Sequence, residues 1–213
     1  MRAKNMTFTA VGDMLVQRRL PDTYDGLKEL TDFIKKGDMS YFNLETTINR
    51  GEGWGNQYGG GSWLKADPLV LEDAKRMGFN MLSFANNHSL DFSHWGLIKT
   101  VEALEAVGIP HAGAGRNMAE AAAPVYLDTS KGRIALIGAC SSFELPSMAG
   151  EQSRRLIGRP GINGIRHNET YVVTEEQMKV LKEIADSTHI NGSDDILRKE
   201  GYLPELPEGL FNM

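Results

Sequence analysis

The sequence predicts an α/β fold, in which strands and helices alternate along the chain and build a layered sheet. Short apolar runs rich in β-branched residues, such as residues 6–11 and 39–44, are followed by stretches with helical spacing of their apolar residues. Three of the apolar runs also end in polar side chains. Because open α/β sheets place ligands at the carboxyl ends of their strands, the same pattern predicts where the functional site lies.

Each predicted element depends on a local signal. Leucine and isoleucine at helical spacing, an Asp-Pro pair suited to a helix start, and glycine behind the last turn mark the helices. The predicted helices are residues 24–36, 67–77, 97–107 and 174–186, with a short one after Asn117. The predicted strands are residues 6–11, 39–44, 80–85, 109–112, 125–128 and 133–139. We assign residues 1–190 to one domain and the polar residues 191–213 to a C-terminal tail.

Composition excludes several classes of protein. The 213 residues are 41% apolar and 24% charged, which is ordinary for a globular domain. The net charge is −5 and the charges are spread along the chain, so the basic cluster expected of a nucleic-acid-binding protein is missing. The single Cys140 excludes a disulfide within the chain and is interpreted as a small buried residue. No apolar run reaches the length of a membrane span, and no signal-type segment precedes the first strand, so a cytoplasmic location is expected.

Polar residues at three strand ends predict a metal site. Asp13, Glu45 and Asn87 each follow an apolar run and offer hard oxygen ligands, which suit magnesium or manganese better than zinc or iron. His88, beside Asn87, is the candidate proton donor to a leaving group. Asp91 lies three residues further on and is placed to orient that imidazole.

Each of these residues also has a purely structural interpretation, which the sequence leaves open. Asp13 is compatible with capping a turn, and Glu45 with pairing to a surface cation. His88 is compatible with a bond to the backbone in a polar turn. Asp91 is equally compatible with capping the helix that begins near Trp95.

Two irregular segments are candidates for substrate contact. Residues 50–65 contain six glycines together with Tyr58 and Trp63, which fits either a flap over the substrate or a flexible surface loop. Residues 141–166 contain several arginines, including Arg159 and Arg166, whose guanidinium groups suit phosphate or carboxylate. A solvated surface loop is the alternative for this second segment.

The three strand-end motifs together resemble the CapA-type family of capsule and poly-γ-glutamate biosynthesis proteins, within the calcineurin-like metallophosphoesterase superfamily. The matching motifs are residues 11–13 (Val-Gly-Asp), 43–45 (Asn-Leu-Glu), 85–88 (Ala-Asn-Asn-His) with Asp91, 108–115 and 159–163. The resemblance implies a four-layer αββα sandwich and metal ligation by Asp13, Glu45 and Asn87. It also implies a catalytic role for His88 and a place for Asn86 beside the substrate.

The resemblance covers only the N-terminal part of such a domain. Family members continue into two histidine-containing elements that supply further metal ligands, and this chain has neither. His94 sits in a His-Trp-Gly tripeptide, but too close to residues 85–88 to be the first of them. We therefore expect a fold that is incomplete at its C-terminus, and a homo-oligomer or a partner chain that completes it.

These observations favour a metal-dependent phosphoesterase-like hydrolase domain, active if the missing histidine half is supplied. The expected substrate is an anionic or phosphorylated small molecule or polymer. The alternative is a non-catalytic binding or assembly component of capsule or poly-γ-glutamate biosynthesis. A third reading, an accessory to amide-bond formation or hydrolysis on γ-glutamyl polymers, follows from the family name alone.

Overall fold

The structure is a computed structural model that describes residues 5–58 and 62–211. The chain divides into two compact units, Met1–His167 and Asn168–Met213. The strands are β1 (Phe8–Met14), β2 (Met39–Leu44), β3 (Thr47–Ile48), β4 (Lys65–Ala66), β5 (Met81–Ser83), β6 (His111–Ala112), β7 (Ala114–Gly115), β8 (Val125–Thr129), β9 (Gly132–Leu136) and β10 (Gly161–Ile162). The helices are α1 (Leu27–Ile34), α2 (Leu69–Met77), α3 (Ser93–Val107), α4 (Met118–Ala121), α5 (Glu175–Thr188) and α6 (Gly192–Lys199), with a 3₁₀ turn at Leu145–Ser147.

A four-stranded parallel sheet is the centre of the first unit. Its strand order is β1-β2-β5-β6, so the strands lie side by side in the order in which they occur along the chain. Helices α1, α2 and α3 connect successive strands and pack on one face of the sheet. The buried residues of this face include Phe42, Leu44, Leu82 and Phe84 from the strands, and Ile34, Leu71, Leu97 and Leu104 from the helices.

The other face of the sheet is covered by the antiparallel hairpin β8–β9. Met39 and Met81 project from this face, because neighbouring residues of a strand point to opposite sides, and they pack with Ile134 of the hairpin in a second core cluster. The α/β class is therefore confirmed. Helices form one layer, the parallel sheet the next, and the hairpin begins a layer on the far side.

Several element bounds differ from the predictions. Strand β1 continues through Gly12 and Asp13 to Met14, so Asp13 lies within the strand rather than behind it. The pairing of β1 with β2 is irregular between Ala10 and Asp13, where β1 holds one residue more than its partner. Such a bulge bends a strand and redirects its side chains, which apolar periodicity alone does not reveal.

Short strand pairs were also absent from the predictions. Strands β3 and β4 pair in parallel at the two ends of the glycine-rich segment, and β10 pairs with β7. Strands of two residues carry too little periodicity to be recognised in a sequence.

The second unit contains α5 and α6. Helix α5 begins at the predicted capping box, in which Thr174 accepts from the Gln177 backbone and the Gln177 side chain accepts from Thr174 N. Residues 192–199 of the predicted polar tail are helical. Among the described residues, none of the helices combines the length and the apolar character needed to cross a membrane.

Candidate functional site

The carboxyl ends of β1 and β2 bring two carboxylates together around one amide. Asp13 lies opposite Asn43 in the parallel pairing, and Glu45 follows Asn43 by two residues, which keeps it on the same side of the chain. Asn43 Nδ2 donates to Asp13 Oδ1 at 2.8 Å and to Glu45 Oε2 at 2.6 Å. These two carboxylate oxygens therefore lie no more than about 5.4 Å apart, the sum of the two bond lengths.

The orientation of this amide is set by the turn that follows β5. Asn86 Nδ2 donates to the Leu44 carbonyl at 2.8 Å, and Asn86 Oδ1 accepts from His88 N at 3.0 Å. Since a carbonyl only accepts and a backbone N–H only donates, these two contacts fix which end of the Asn86 amide is which. Asn86 Nδ2 then meets Asn43 Oδ1 at 3.2 Å, which directs the Asn43 NH₂ group towards the two carboxylates.

The same turn presents an imidazole that is held by a buried acid. His88 Nδ1 lies 2.8 Å from Asp91 Oδ2, and the Asp91 side chain is only 3% exposed. Asp91 Oδ2 also accepts from Leu64 N at 2.7 Å, and the Asp91 carbonyl accepts from Asn56 N at 2.8 Å. Asp91 thus contacts the histidine and two points of the glycine-rich segment, Asn56 and Leu64.

Asp91 does not cap α3, the helix that follows it in the chain. The N-cap position of α3 is Phe92, and no side chain caps that helix end. The carboxylate is committed to His88 and to the Leu64 backbone instead, which removes the alternative that the sequence left open for this residue.

A cavity of about 680 Å³ lies against these groups. Six of the predicted site residues line it: Asp13, Glu45, Tyr58, Asn87, His88 and Asp91. The volume falls within the range of small-molecule sites. The three strand ends that the sequence analysis combined therefore open onto one space.

The other predicted substrate contacts lie elsewhere. Asn86 is buried under the turn, and its amide is engaged as described above. Trp63 Nε1 donates to the Asn56 carbonyl at 3.0 Å, and Arg159 Nε donates to the Met148 carbonyl at 3.1 Å. Arg166 is exposed and is not part of the cavity wall. The glycines at positions 59–61, at the centre of the predicted flap, lie outside the described residues.

Two parts of the site were not predicted from the sequence. Asn43 is the residue between the carboxylates; the available signal was a polar amide in an otherwise apolar strand, two positions before Glu45. The second part is the segment after β9, from which Ser142, Phe143, Glu144 and Ser147 line the cavity. No spacing or motif in that irregular segment distinguishes these residues from their neighbours.

Two acids of the site, Glu45 and Asp91, are buried, and burial is the largest influence on the pKa of each. Burial raises the pKa of Glu45, and the charge of Asp13 raises it further, while His88 and the Asn43 amide act in the opposite direction. Burial also raises the pKa of Asp91, against the lowering effect of the Leu64 N–H and His88. A bound cation would relieve the repulsion between Asp13 and Glu45.

The donor set fits a hard divalent cation in its chemistry. Asp13, Glu45 and Asn87 supply carboxylate and amide oxygens to one cavity, the ligand type that magnesium and manganese prefer. Within residues 5–58 and 62–211 there is no cluster of three His, Cys, Asp or Glu side chains arranged as metal ligands. His88 is the only imidazole in the described wall of the cavity, and His94 lies on α3 outside it.

Comparison with known proteins identifies the family to which the chain belongs. Residues 7–196 match the model of the bacterial capsule synthesis protein family PGA_cap. The chain belongs to this family. The match confirms the resemblance to CapA-type proteins that the motifs at the strand ends indicated.

Three curated relatives are similar to the chain. Two proteins of Sinorhizobium fredii (strain NBRC 101917 / NGR234), named as uncharacterized proteins y4sH and y4uA, are each 35% identical over 185 residues. That alignment covers 85% of this chain and 40% of each relative. The capsule biosynthesis protein CapA of Bacillus anthracis is 24% identical over 153 residues, 68% of this chain and 37% of CapA. The chain thus spans about two fifths of the length of these relatives.

Proposed function

We propose that this PGA_cap chain is a metal-dependent, phosphoesterase-like hydrolase domain acting on an anionic or phosphorylated substrate of capsule or poly-γ-glutamate biosynthesis. The observation that supports this most directly is the pair of carboxylates around Asn43, at a cavity that Asn87 and the His88–Asp91 pair also line. Family membership and the name of the Bacillus anthracis relative, a capsule biosynthesis protein, support the biosynthetic context.

Asp13, Glu45 and Asn87 would hold a manganese or magnesium ion, with zinc or iron as the less suited alternatives. When bound, such an ion would polarise a phosphoryl oxygen and lower the pKa of a bound water. Tyr58 would contact the substrate from the glycine-rich side of the cavity. Contacts from Asn86, Trp63, Arg159 and Arg166 remain predictions from the sequence.

His88 would donate a proton to the leaving group. Its Nδ1 is engaged by Asp91 at 2.8 Å, which leaves Nε2 for the cavity. In the imidazolium form, Nδ1–H donates to the carboxylate and Nε2–H is the transferable proton. Asp91 would act as a positioning residue, since its hydrogen bond to Nδ1 fixes the orientation of the ring.

The finer fold proposal is the four-layer αββα sandwich. Helices, parallel sheet and hairpin β8–β9 supply an α layer, a β layer and the first strands of a second β layer. In the longer relatives, the remaining three fifths of the sequence offers room for the outer strands and helices. For this chain, a homo-oligomer or a partner chain that covers the same face is the corresponding proposal.

Manganese binding tests the proposal independently of turnover. In calorimetric titration of the full chain, we expect binding of Mn²⁺ that weakens at least tenfold in Glu45→Gln and in Asn87→Ala. Glu72→Gln, an exposed acid on α2, is the matched control and should bind as the parent chain does. His88→Ala should keep the metal and lower hydrolysis of bis(p-nitrophenyl) phosphate about 10²-fold or more.

A second candidate function is a non-catalytic binding or assembly component. It is favoured by the small ligand set, because two carboxylates, one amide and one imidazole are few for a catalytic metal centre. No heat of binding with millimolar Mn²⁺, and equal titrations of the parent chain and Glu45→Gln, would select this second function over the first.

A further inference from the structure

A second cavity lies directly beside the candidate site. It has a volume of about 290 Å³ and is bounded by the end of β1, the irregular segment 15–20, α1 and α2. Its wall is almost entirely aliphatic. Representative wall residues are Leu15, Leu20, Leu30, Val70, Ala74 and Met77.

Two of these side chains are solvent-exposed although they face other apolar groups. Leu15 is 53% exposed and Leu30 is 43% exposed, while Ile34 behind them is fully buried. Nothing in the described part of the chain fills the space between them. Apolar wall atoms without packing partners lose favourable contacts, so an apolar occupant would gain by entering.

Two acids line this wall, Asp13 and Asp73, and the second is paired with a guanidinium group. Asp73 is buried, and Arg19 binds it with two hydrogen bonds, Nε to Oδ2 at 2.9 Å and Nη2 to Oδ1 at 2.7 Å. These contacts lower the pKa of Asp73 and keep it ionised as a paired group. The same bidentate pair ties segment 15–20 to α2.

The two cavities share part of their walls. Asp13 and Leu15 line both of them. The irregularity of β1 between Ala10 and Asp13 lies at this junction, where the bent strand separates the polar space from the apolar one. A single ligand that occupies both spaces therefore needs one apolar end and one polar end. The polar end is anionic if the acids of the candidate site hold the proposed metal ion.

We propose that the second cavity binds the aliphatic chain of the substrate, whose phosphate group lies in the candidate site. The ligand class is a water-soluble, single-chain alkyl phosphate ester. This assignment rests on the proposed function for the position of the phosphate. The cavity holds about ten water-sized units, so the chain that fits has roughly ten carbon atoms or fewer.

Chain-length dependence of binding tests the assignment. Calorimetric titrations with ethyl, butyl, hexyl and octyl phosphate in the presence of Mn²⁺ should show about fourfold tighter binding per added methylene, the gain expected from about 0.8 kcal/mol per buried CH₂. A parallel series of 1-alkanols without metal should show the same dependence at lower affinity. The alkanols report on the apolar cavity whether or not the candidate site binds metal.

Two variants on α1 form a matched pair. Leu30→Gln changes a wall residue, whereas Phe33→Gln changes a residue of similar exposure, 52%, that does not line the cavity. Leu30→Gln should reduce octyl phosphate affinity at least tenfold, and Phe33→Gln should leave it unchanged. Because both positions are on the surface, neither change should prevent folding.

Alkanol binding that does not depend on chain length, or equal losses in both variants, would overturn the assignment of the apolar cavity. If alkanol binding depends on chain length but the phosphate group adds no affinity, the apolar cavity is correctly assigned and the proposed function is wrong. The proposed ligand with two different ends is then wrong as well. A change of oligomeric state in Leu30→Gln, with unchanged affinity for octyl phosphate, would identify the cavity as a contact between copies of the chain and also overturn the proposal.

Discussion

Replacement of Asn43 by leucine removes the amide between two carboxylates while keeping a side chain that branches at Cγ. The parent amide donates to Asp13 and to Glu45 at 2.8 and 2.6 Å. Hydrogen bonds to charged groups contribute about 1.5–3 kcal/mol each when shielded from water. Because Asp13 is exposed and Glu45 is buried, we expect the variant to lose about 2–3 kcal/mol of unfolding free energy at pH 7.

This loss should depend on pH, because the pKa of Glu45 is raised by burial and by Asp13. A carboxyl group whose pKa is higher in the folded state destabilises the fold as pH rises through that pKa, and has no such effect below its unfolded pKa. Removal of the amide raises the pKa of Glu45 further. At pH 4.5, where more of the Glu45 population is neutral, the difference between variant and parent should be smaller than at pH 7.

Urea unfolding of both proteins at pH 7 and pH 4.5 measures this difference. Asn80→Leu is the matched control, since Asn80 is also half-buried but its partners are neutral: it donates to the Asp38 carbonyl at 3.1 Å and accepts from Ser40 N at 2.8 Å. Its destabilisation should be the same at both pH values. If Asn43→Leu is also equally destabilising at both, the amide does not offset charge between Asp13 and Glu45, and the reasoning fails.

Three further predictions concern other parts of the site. Asp91→Asn replaces the charged oxygen that accepts from Leu64 N and from His88 Nδ1 by a neutral one. We therefore expect about 1–2 kcal/mol lower unfolding free energy and faster tryptic cleavage at Lys65, beside Leu64; unchanged cleavage would contradict the anchoring contact. Arg19→Met removes the hydrogen bonds that lower the pKa of Asp73. The parent chain should lose thermal stability as pH falls below about 4, and a variant that loses it equally would show that the pair does not contribute. Gly113→Ala should destabilise by more than 1 kcal/mol, since Gly113 has a φ of 101° and a Cβ there would lie 2.5 Å from the Ala85 Cβ. Gly12→Ala, with open space around it, should not, and thermal melts of both variants compare them directly.

The sequence predicted the α/β class and most strands of the sheet because their signals are local. Residues 39–44 form the strand that was predicted, and the glycines after α2 and α3 are left-handed C-caps at the predicted ends. The end of β1 was misplaced, because the extra residue between Ala10 and Asp13 is accommodated by pairing with β2. The information that decides such a bulge lies in the partner strand.

The site likewise has parts that local sequence signals predict and parts that depend on contacts between distant residues. A strand end followed by Asn-Asn-His indicates a functional turn, and the structure brings Asp13, Glu45, Asn87 and His88 to one cavity. The bridging role of Asn43 depends on the orientation of Asn86, a contact between residues 43 positions apart. The wall from Ser142 to Ser147 depends on how an irregular segment folds back over the sheet, for which no periodic signal exists.

The side-by-side strand order also has a consequence for how the protein is made. Each strand of this sheet pairs with the previous member of the same sheet, so the sheet can grow at one edge during translation without inserting a strand between two that are already paired. Asp13 and Glu45 come into register as soon as the second strand docks, whereas the turn that orients the amide between them arrives only with β5. We therefore expect the acids to meet early in folding and their mutual repulsion to be offset one step later.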